Sequence, residues 1–212
     1  MYLTRMELNI RKRETMIALS SPNRFHGAIE SAFEWDKKRK LWRIDTLNGK
    51  TYLLILSETR PELSHALTQF GNENSETPYE VAVYDKLLDR IEVGSVWQFR
   101  LVANPTKSIN DTFKKERGSV HAHITTQYQE QWLMDKASKC GFSLKQEEFR
   151  KESEKWYSFK KGTDNNRVTI LSVTFEGLLT VTNVELFKKA MTEGIGKGKA
   201  YGMGLLTIVT AR

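Results

Sequence analysis

Four histidines (His26, His65, His121 and His123), one cysteine (Cys140) and five glycines crowded between Gly194 and Gly204 are the residues whose types and spacing could do chemistry. Imidazole titrates near neutral pH and serves as base or acid. His26 follows a Pro-containing turn and sits beside Phe25, in a stretch where Phe25, Ile29, Ala32 and Phe33 recur at helical spacing. It is either a positioned acid–base group or a surface histidine beside an apolar stripe. His121 and His123 would share one face of a strand, but no carboxylate or cysteine stands at useful spacing nearby. Two ligands make a poor site, so no metal is expected. A lone cysteine excludes an intrachain disulfide and a Cys-based zinc knuckle, and Cys140, before Gly141 on an apolar helix side, reads as buried packing.

The glycine segment runs Gly194-Ile195-Gly196-Lys197-Gly198-Lys199-Ala200-Tyr201-Gly202-Met203-Gly204. Clustered glycines let backbone N–H groups converge on an anion, or let a nucleic-acid backbone approach the main chain. The spacing is wrong for a Walker A loop, and the placement between a helix and a final strand is wrong for a dinucleotide fingerprint. A tight helix-to-strand connection accounts for it as well as an anion cradle does.

Basic side chains are the other resource. Of 33 Lys and Arg against 26 Asp and Glu, residues 1–105 hold 15 and 14, a net +1, and residues 106–212 hold 18 and 12, a net +6. A basic half joined to a near-neutral half suggests a polyanion bound through the second half; simple solubility is the competing explanation. Arg150, Lys151, Lys155, Lys160, Lys161 and Arg167 interleave with Trp156, Tyr157 and Phe159, and Lys114, Lys115 and Arg117 form a second cluster; each suits either a phosphate backbone or plain solvated surface. Trp156 and Phe159 are expected in the core, and the run Lys37 to Lys40 on a solvated face.

These groups need elements to position them. Tyr2 to Ile10 alternates as a half-buried strand, and Ser21 and Pro22 mark a helix start as N-cap and first helical residue. Leu41 to Ile44 and Thr51 to Leu56 read as strands joined through Asn48-Gly49, helical character follows at 61–70, a polar loop at 71–78, and a strand at Val96 to Val102. That order fits a ferredoxin-like βαββαβ unit. In the second half, a helix at Gln127 to Cys140, charged strands within 142–161, β-rich runs at Val168 to Phe175 and Leu178 to Thr182, a helix capped by Asn183 and a last strand at Leu205 to Thr210 repeat the logic. Leu186, Phe187, Ala190 and Met191 are expected as the buried face of that second helix. The fold class is therefore α+β, with tandem ferredoxin-like, RNA-recognition-type domains at 1–105 and 119–212 and a linker at 106–118. No apolar run approaches the ~18–20 residues of a membrane span, and no signal-peptide core is visible, so a cytoplasmic protein without membrane contact is expected.

The pattern from Gly194 to Leu206 resembles the C-terminal signature of CRISPR repeat-processing endoribonucleases, most closely the CasE type that works in the type I-E Cascade complex. Met1-Tyr2-Leu3-Thr4, Arg100 to Lys107, Phe175 to Val181 and a histidine near the first helix agree with it in order along nearly the whole chain. The resemblance implies cleavage of the CRISPR repeat RNA on the 3′ side of a hairpin stem without metal or other cofactor, by attack of a 2′-hydroxyl on its own phosphate. The product stays bound, with other Cascade subunits as partners. It implies that His26 is catalytic, that the loop residues Gly196, Lys197, Gly198 and Lys199 meet RNA, and that Arg100 and Lys107 do so at matching positions. A basic β-hairpin with its tip at Lys160-Lys161-Gly162 would enter the major groove of the stem, whose end is wide enough to admit it. Arg24 could sit near the phosphate. The chain departs from the pattern at Asn23, where some relatives have Tyr, at Gly27 and Ser31, where some have basic residues, and at Val102, where an arginine is usual. The second catalytic group is therefore open, and a hairpin-binding subunit without cleavage is the alternative.

Overall fold

The computed structural model describes residues 1–33, 38–109, 119–160 and 167–211. Alternation in Tyr2–Leu8, which buries Thr4, Met6 and Leu8, makes this segment strand β1. Helices α1 (Arg13–Ser20) and α2 (Asn23–Ser31) follow. Pro22 is the residue just before α2 rather than its first turn, and the Ser21 hydroxyl donates to Asn23 Oδ1 at 2.8 Å instead of capping the backbone. Strands β2 (Leu41–Leu47) and β3 (Lys50–Ser57) meet at Asn48-Gly49, where φ is +51° and +75°, the two positive values a tight right-twisted hairpin turn demands. Helix α3 (Ser64–Phe70) and strand β4 (Tyr79–Val83) complete a first sheet in the order β2-β3-β1-β4, all antiparallel.

A short helix α4 (Asp85–Leu88) leads to β5 (Val96–Ala103), then to β6 (Thr106–Ile109) and β7 (Ser119–Ala122), which among the described residues pair only with each other. Helix α5 (Thr126–Lys139), the two-residue β8 (Phe142–Ser143), a 3₁₀ turn at Gln146–Glu148, the long strands β9 (Phe149–Lys160) and β10 (Arg167–Val181), helix α6 (Val184–Glu193), a 3₁₀ turn at Lys199–Tyr201 and β11 (Leu206–Thr210) make up the rest. The second sheet runs β11-β5-β10, with β9 and β8 both on the far edge of β10. Each sheet is built from a strand, a helical segment, two strand positions, a helix and a last strand in the order last-first-third-second, β8 and β9 together filling the second position of the second sheet. The fold is α+β with the ferredoxin-like arrangement twice.

The strand Val96–Ala103, expected to close the first unit, instead lies at the centre of the second sheet, between β10 and β11. The closing strand of the first sheet is β4, whose mostly exposed YEVAV carries no alternation to betray it. The change of sheet thus falls between Val83 and Val96, ahead of the expected 106–118 linker. Of that linker, residues 106–109 are β6, and 110–118 lie outside the described residues. The runs 168–175 and 178–182 are one strand, β10, which ends at Val181; opposite Thr174 and Phe175 the register shifts because β9 carries an extra residue, Glu152. Asn183 caps α6 as expected, accepting from Leu186 N at 3.0 Å, but Leu186 itself is 43% exposed, while Phe187, Ala190 and Met191 are buried.

The two sheets are joined by a buried side chain. Arg43 of β2, only 2% exposed, donates to the carbonyl oxygens of Arg100 and Leu205 at 2.9 Å each and to Thr207 Oγ1 at 2.8 Å, on β5 and around β11. Its remaining donors form a bidentate pair with Asp45 at 2.8 and 2.6 Å. Leu41 and Leu56 of the first sheet add apolar contact, since they belong to the same buried cluster as Leu101, Leu205 and Leu206.

Candidate functional site

Helix α2 buries Phe25 and Ile29, each 1% exposed, against the first sheet. Phe25 tilts against Trp42 and Phe70, with ring centroids 5.8 and 5.0 Å apart, which fixes the roll of the helix. His26, one position on, therefore points to the side, 41% exposed, with Nδ1 3.8 Å from Glu30 Oε1 one turn later. Across from it lies the glycine segment. A cavity of about 780 Å³ is lined by His26 and Glu30 of α2, by Arg39 and Lys40 ahead of β2, and by Gly196 to Ala200. The histidine and the glycine-rich loop, 170 residues apart in sequence, thus form two walls of one site.

Backbone geometry holds the loop there. Ile195 N donates to Gly204 O at 2.9 Å, Gly204 N to Val102 O at 2.6 Å and Tyr201 N to Gly198 O at 2.8 Å, and Lys197 bridges to Asn104. Gly202 takes φ +79°, and a Cβ there would come within 2.7 Å of the Trp42 ring. Glycine is required at this point because the loop lies directly on the first unit's core. Lys199 is half-buried in the 3₁₀ turn, and burial and then the nearby Arg39 hold its ammonium below the usual lysine range, against smaller opposing effects of Glu193 and Cys140.

Comparison with known proteins decides the family: the model of the CRISPR-associated protein family matches residues 1–210. The chain belongs to this family. It is 26% identical over 226 residues to the CRISPR-associated endoribonuclease Cse3 of Thermus thermophilus, covering 98% of this chain and 99% of that one. It is 30% identical over 155 residues to the Cascade subunit CasE of Escherichia coli, covering 70% and 75%. Among solved structures, Thermus Cse3 bound to an RNA representing a pre-cleavage complex superimposes with a TM-score of 0.79 at 25% identity, over 98% of both chains.

This family member places the other expected residues more widely. Arg24 is exposed and does not line the cavity; two positions before His26, it points about 200° around the helix. Asn23 is engaged by Ser21, and the Ser31 hydroxyl donates to Gly27 O at 3.0 Å. Arg100 is held between Asp45, 3.2 Å away, and Glu176, so its guanidinium serves the junction of the sheets rather than the His26 cavity. Lys107 pairs across from His121 on the β6–β7 ribbon and sits near His123, whose imidazole burial and then Lys107 hold below its ordinary value. The β9–β10 hairpin exists, with Lys160 opposite Arg167 at the end of its described ladder; Lys161 and Gly162 lie outside the described residues, as do Lys37, Lys114, Lys115 and Arg117. On the hairpin Lys151 pairs with Glu154, Arg150 with Glu152, and Lys155 reaches Leu19 O at 3.2 Å. Phe159 is buried, as expected, but Trp156 is 50% exposed and is not core. Cys140 is half-buried, and burial pushes its thiol up. No helix among the described residues is long and apolar enough to cross a membrane.

Sequence reasoning missed Glu30, Arg39 and Lys40. Lys40, placed on a solvated face, is only 5% exposed, with its ammonium 4.9 Å from the centre of the Phe33 ring. The available signal was position. Leu41 opens β2 and lies within 2.7 Å of where a Cβ on Gly194 would stand, so the residues just before it border the glycine segment.

Proposed function

We propose that this chain is a metal-independent endoribonuclease that cuts precursor CRISPR RNA within its repeat, on the 3′ side of the hairpin stem, and stays on its product as a Cascade subunit. The observation that carries this reading is the single cavity shared by His26, the glycine-rich loop and the cations Arg39, Lys40 and Lys199. Neutral His26 takes the proton of the 2′-hydroxyl, and the 2′-oxygen attacks the adjacent phosphorus. Loop N–H groups and the Arg39 and Lys40 cations balance the charge that builds on the phosphoryl oxygens. Glu30 is close enough to pair with the imidazolium once formed. The P–O5′ bond breaks, leaving a 2′,3′-cyclic phosphate and a 5′-hydroxyl. The similarity to Thermus Cse3, solved with a pre-cleavage RNA, supports the substrate class, and that to Escherichia coli CasE supports the Cascade assignment.

The purified protein, given its own repeat RNA, should yield one cut at equal rates with and without EDTA, and none when the scissile nucleotide is 2′-deoxy. Cutting of the deoxy substrate would make water the nucleophile and end this mechanism. Tight binding without any cut would favour the non-catalytic hairpin binder, which the departures at Asn23, Gly27 and Ser31 keep in play.

A further inference from the structure

Cleavage by a 2′-hydroxyl needs two proton transfers, one from the nucleophile and one to the departing 5′-oxygen, and His26 accounts for one. The residues flanking it on α2 account for neither: Asn23 and Ser31 are bonded to local partners and Gly27 has no side chain. The second donor must come from another wall of the cavity. Glu30 lies one turn from His26 on the same helix and so on the same side. Arg39 keeps its protons at any working pH. Lys40 is buried over Phe33, and Lys197 lines the cavity but is exposed, with its backbone bridged to Asn104.

Lys199 differs from these in being both held and across from His26. It stands between Gly198 and Gly202, with φ +86° and +79°, in a 3₁₀ turn closed by the Tyr201 N to Gly198 O bond. Its stem lies against Gly204, where a Cβ would come within 3.3 Å of Lys199 Cγ. The charged and titratable groups around it are Arg39, Lys40 and Lys197, Glu30 and Glu193, and His26 and Cys140. Burial and Arg39 outweigh Glu193 and Cys140, so the ammonium gives up its proton more readily than an exposed lysine would.

We propose that the Lys199 ammonium is the general acid that protonates the departing 5′-oxygen, opposite His26. This rests on the reading of the cavity as the cleavage site. In the step, His26 gains the 2′-hydroxyl proton, a P–O2′ bond forms, the P–O5′ bond breaks, and Lys199 transfers one proton to O5′. The enzyme is left as imidazolium and free amine, and exchange with water restores both.

A repeat RNA with sulfur replacing the bridging 5′-oxygen tests this, because a thiolate departs without a proton. On the ordinary linkage, Lys199→Ala should lower the single-turnover rate by roughly 10²–10⁴-fold, the usual contribution of a general acid. On the sulfur linkage it should cut at close to the wild-type rate, while His26→Ala stays slow on both. Lys199→Arg keeps the charge but cannot deliver the proton and should be as slow as Lys199→Ala. Lys199→Met, which keeps the stem against Gly204, should repeat the alanine pattern if the protein folds less well with alanine. Binding of the uncleavable 2′-deoxy repeat shows that each variant is assembled. Equal impairment on both linkages, or full activity of Lys199→Arg, overturns the assignment. Wild type that cuts the deoxy repeat, or cuts no repeat, overturns the cleavage reading itself and Lys199 with it.

Discussion

His26 occupies a position that is both anchored and open: Phe25 and Ile29 fix its helix, and its ring faces the cavity. His26→Ala should reduce cleavage by roughly 10²–10⁴-fold. Affinity for the repeat should hardly change, because phosphate contacts to many cations dominate such interfaces. Single-turnover rates and filter binding on the same preparation check both parts; full activity would move the base elsewhere. A second residue-scale expectation concerns folding. Glu7 accepts from Asn72 at 2.7 Å, Ser75 at 2.9 Å and Lys50 at 3.0 Å, and these bonds hold its carboxyl below the ordinary value of 4.5. Its folded pKa lies below its unfolded one, so the stability it contributes is present above about pH 4.5 and is lost as pH falls through the folded value. Glu7→Gln should be less stable than wild type at pH 6, with the gap closing towards pH 3. A gap in denaturation midpoints that is constant with pH would remove Glu7 from the acid response.

The glycine segment shows at the element scale how a loop sets a side chain at a distance. Gly202→Ala forces a left-handed backbone at a cost of about 1–2 kcal/mol and pushes a methyl group into Trp42, which packs on Phe25 next to His26. The thermal midpoint should fall by several degrees, at about 2–4 °C per kcal/mol for a chain of this size. Cleavage should fall further than stability suggests, towards the roughly 10²-fold that a 1 Å misplacement costs. A stable Gly202→Ala protein with normal cleavage would show that the loop does not position the site. The sequence made some elements plain. Asn48-Gly49 carries its own turn chemistry, Asn183 its own cap, and the stripe of α2 its own period, so these are local facts. Strand β4 was hidden because an exposed edge strand has no buried alternation, and β5 was assigned to the wrong sheet because alternation says that a strand pairs but not with which neighbours. Among the site residues, His26 and the loop were legible from type and spacing. Arg39 and Lys40 were not, since only tertiary contact brings the segment before β2 to the loop.

At the scale of the whole molecule, chemistry depends on how the two sheets are joined. His26 belongs to the first unit and the glycine-rich loop with Lys199 to the second, so no single unit holds a complete cavity. The excess positive charge lies almost wholly after residue 105, so under the proposed function most RNA affinity is expected from the second unit. Arg43 is the polar centre of that junction, with bonds to β2, β5 and the segment around β11. Arg43→Ala leaves the carbonyls of Arg100 and Leu205 without that donor and Asp45 with Arg100 alone. Removing one partner of a buried ion pair costs about 3–5 kcal/mol, which for this chain length lowers the thermal midpoint by roughly 6–20 °C. The expected functional signature is asymmetric. Well below the midpoint, Arg43→Ala should keep most of its affinity for the hairpin, since the basic second unit is intact, yet cleave it far more slowly because the two walls no longer hold their spacing. Rates measured at saturating protein remove any contribution from weaker binding. A variant that loses affinity and cleavage in proportion would show that the junction shapes the RNA-binding surface itself; one that keeps both would show that the apolar contacts of Leu41 and Leu56 suffice to hold the walls together.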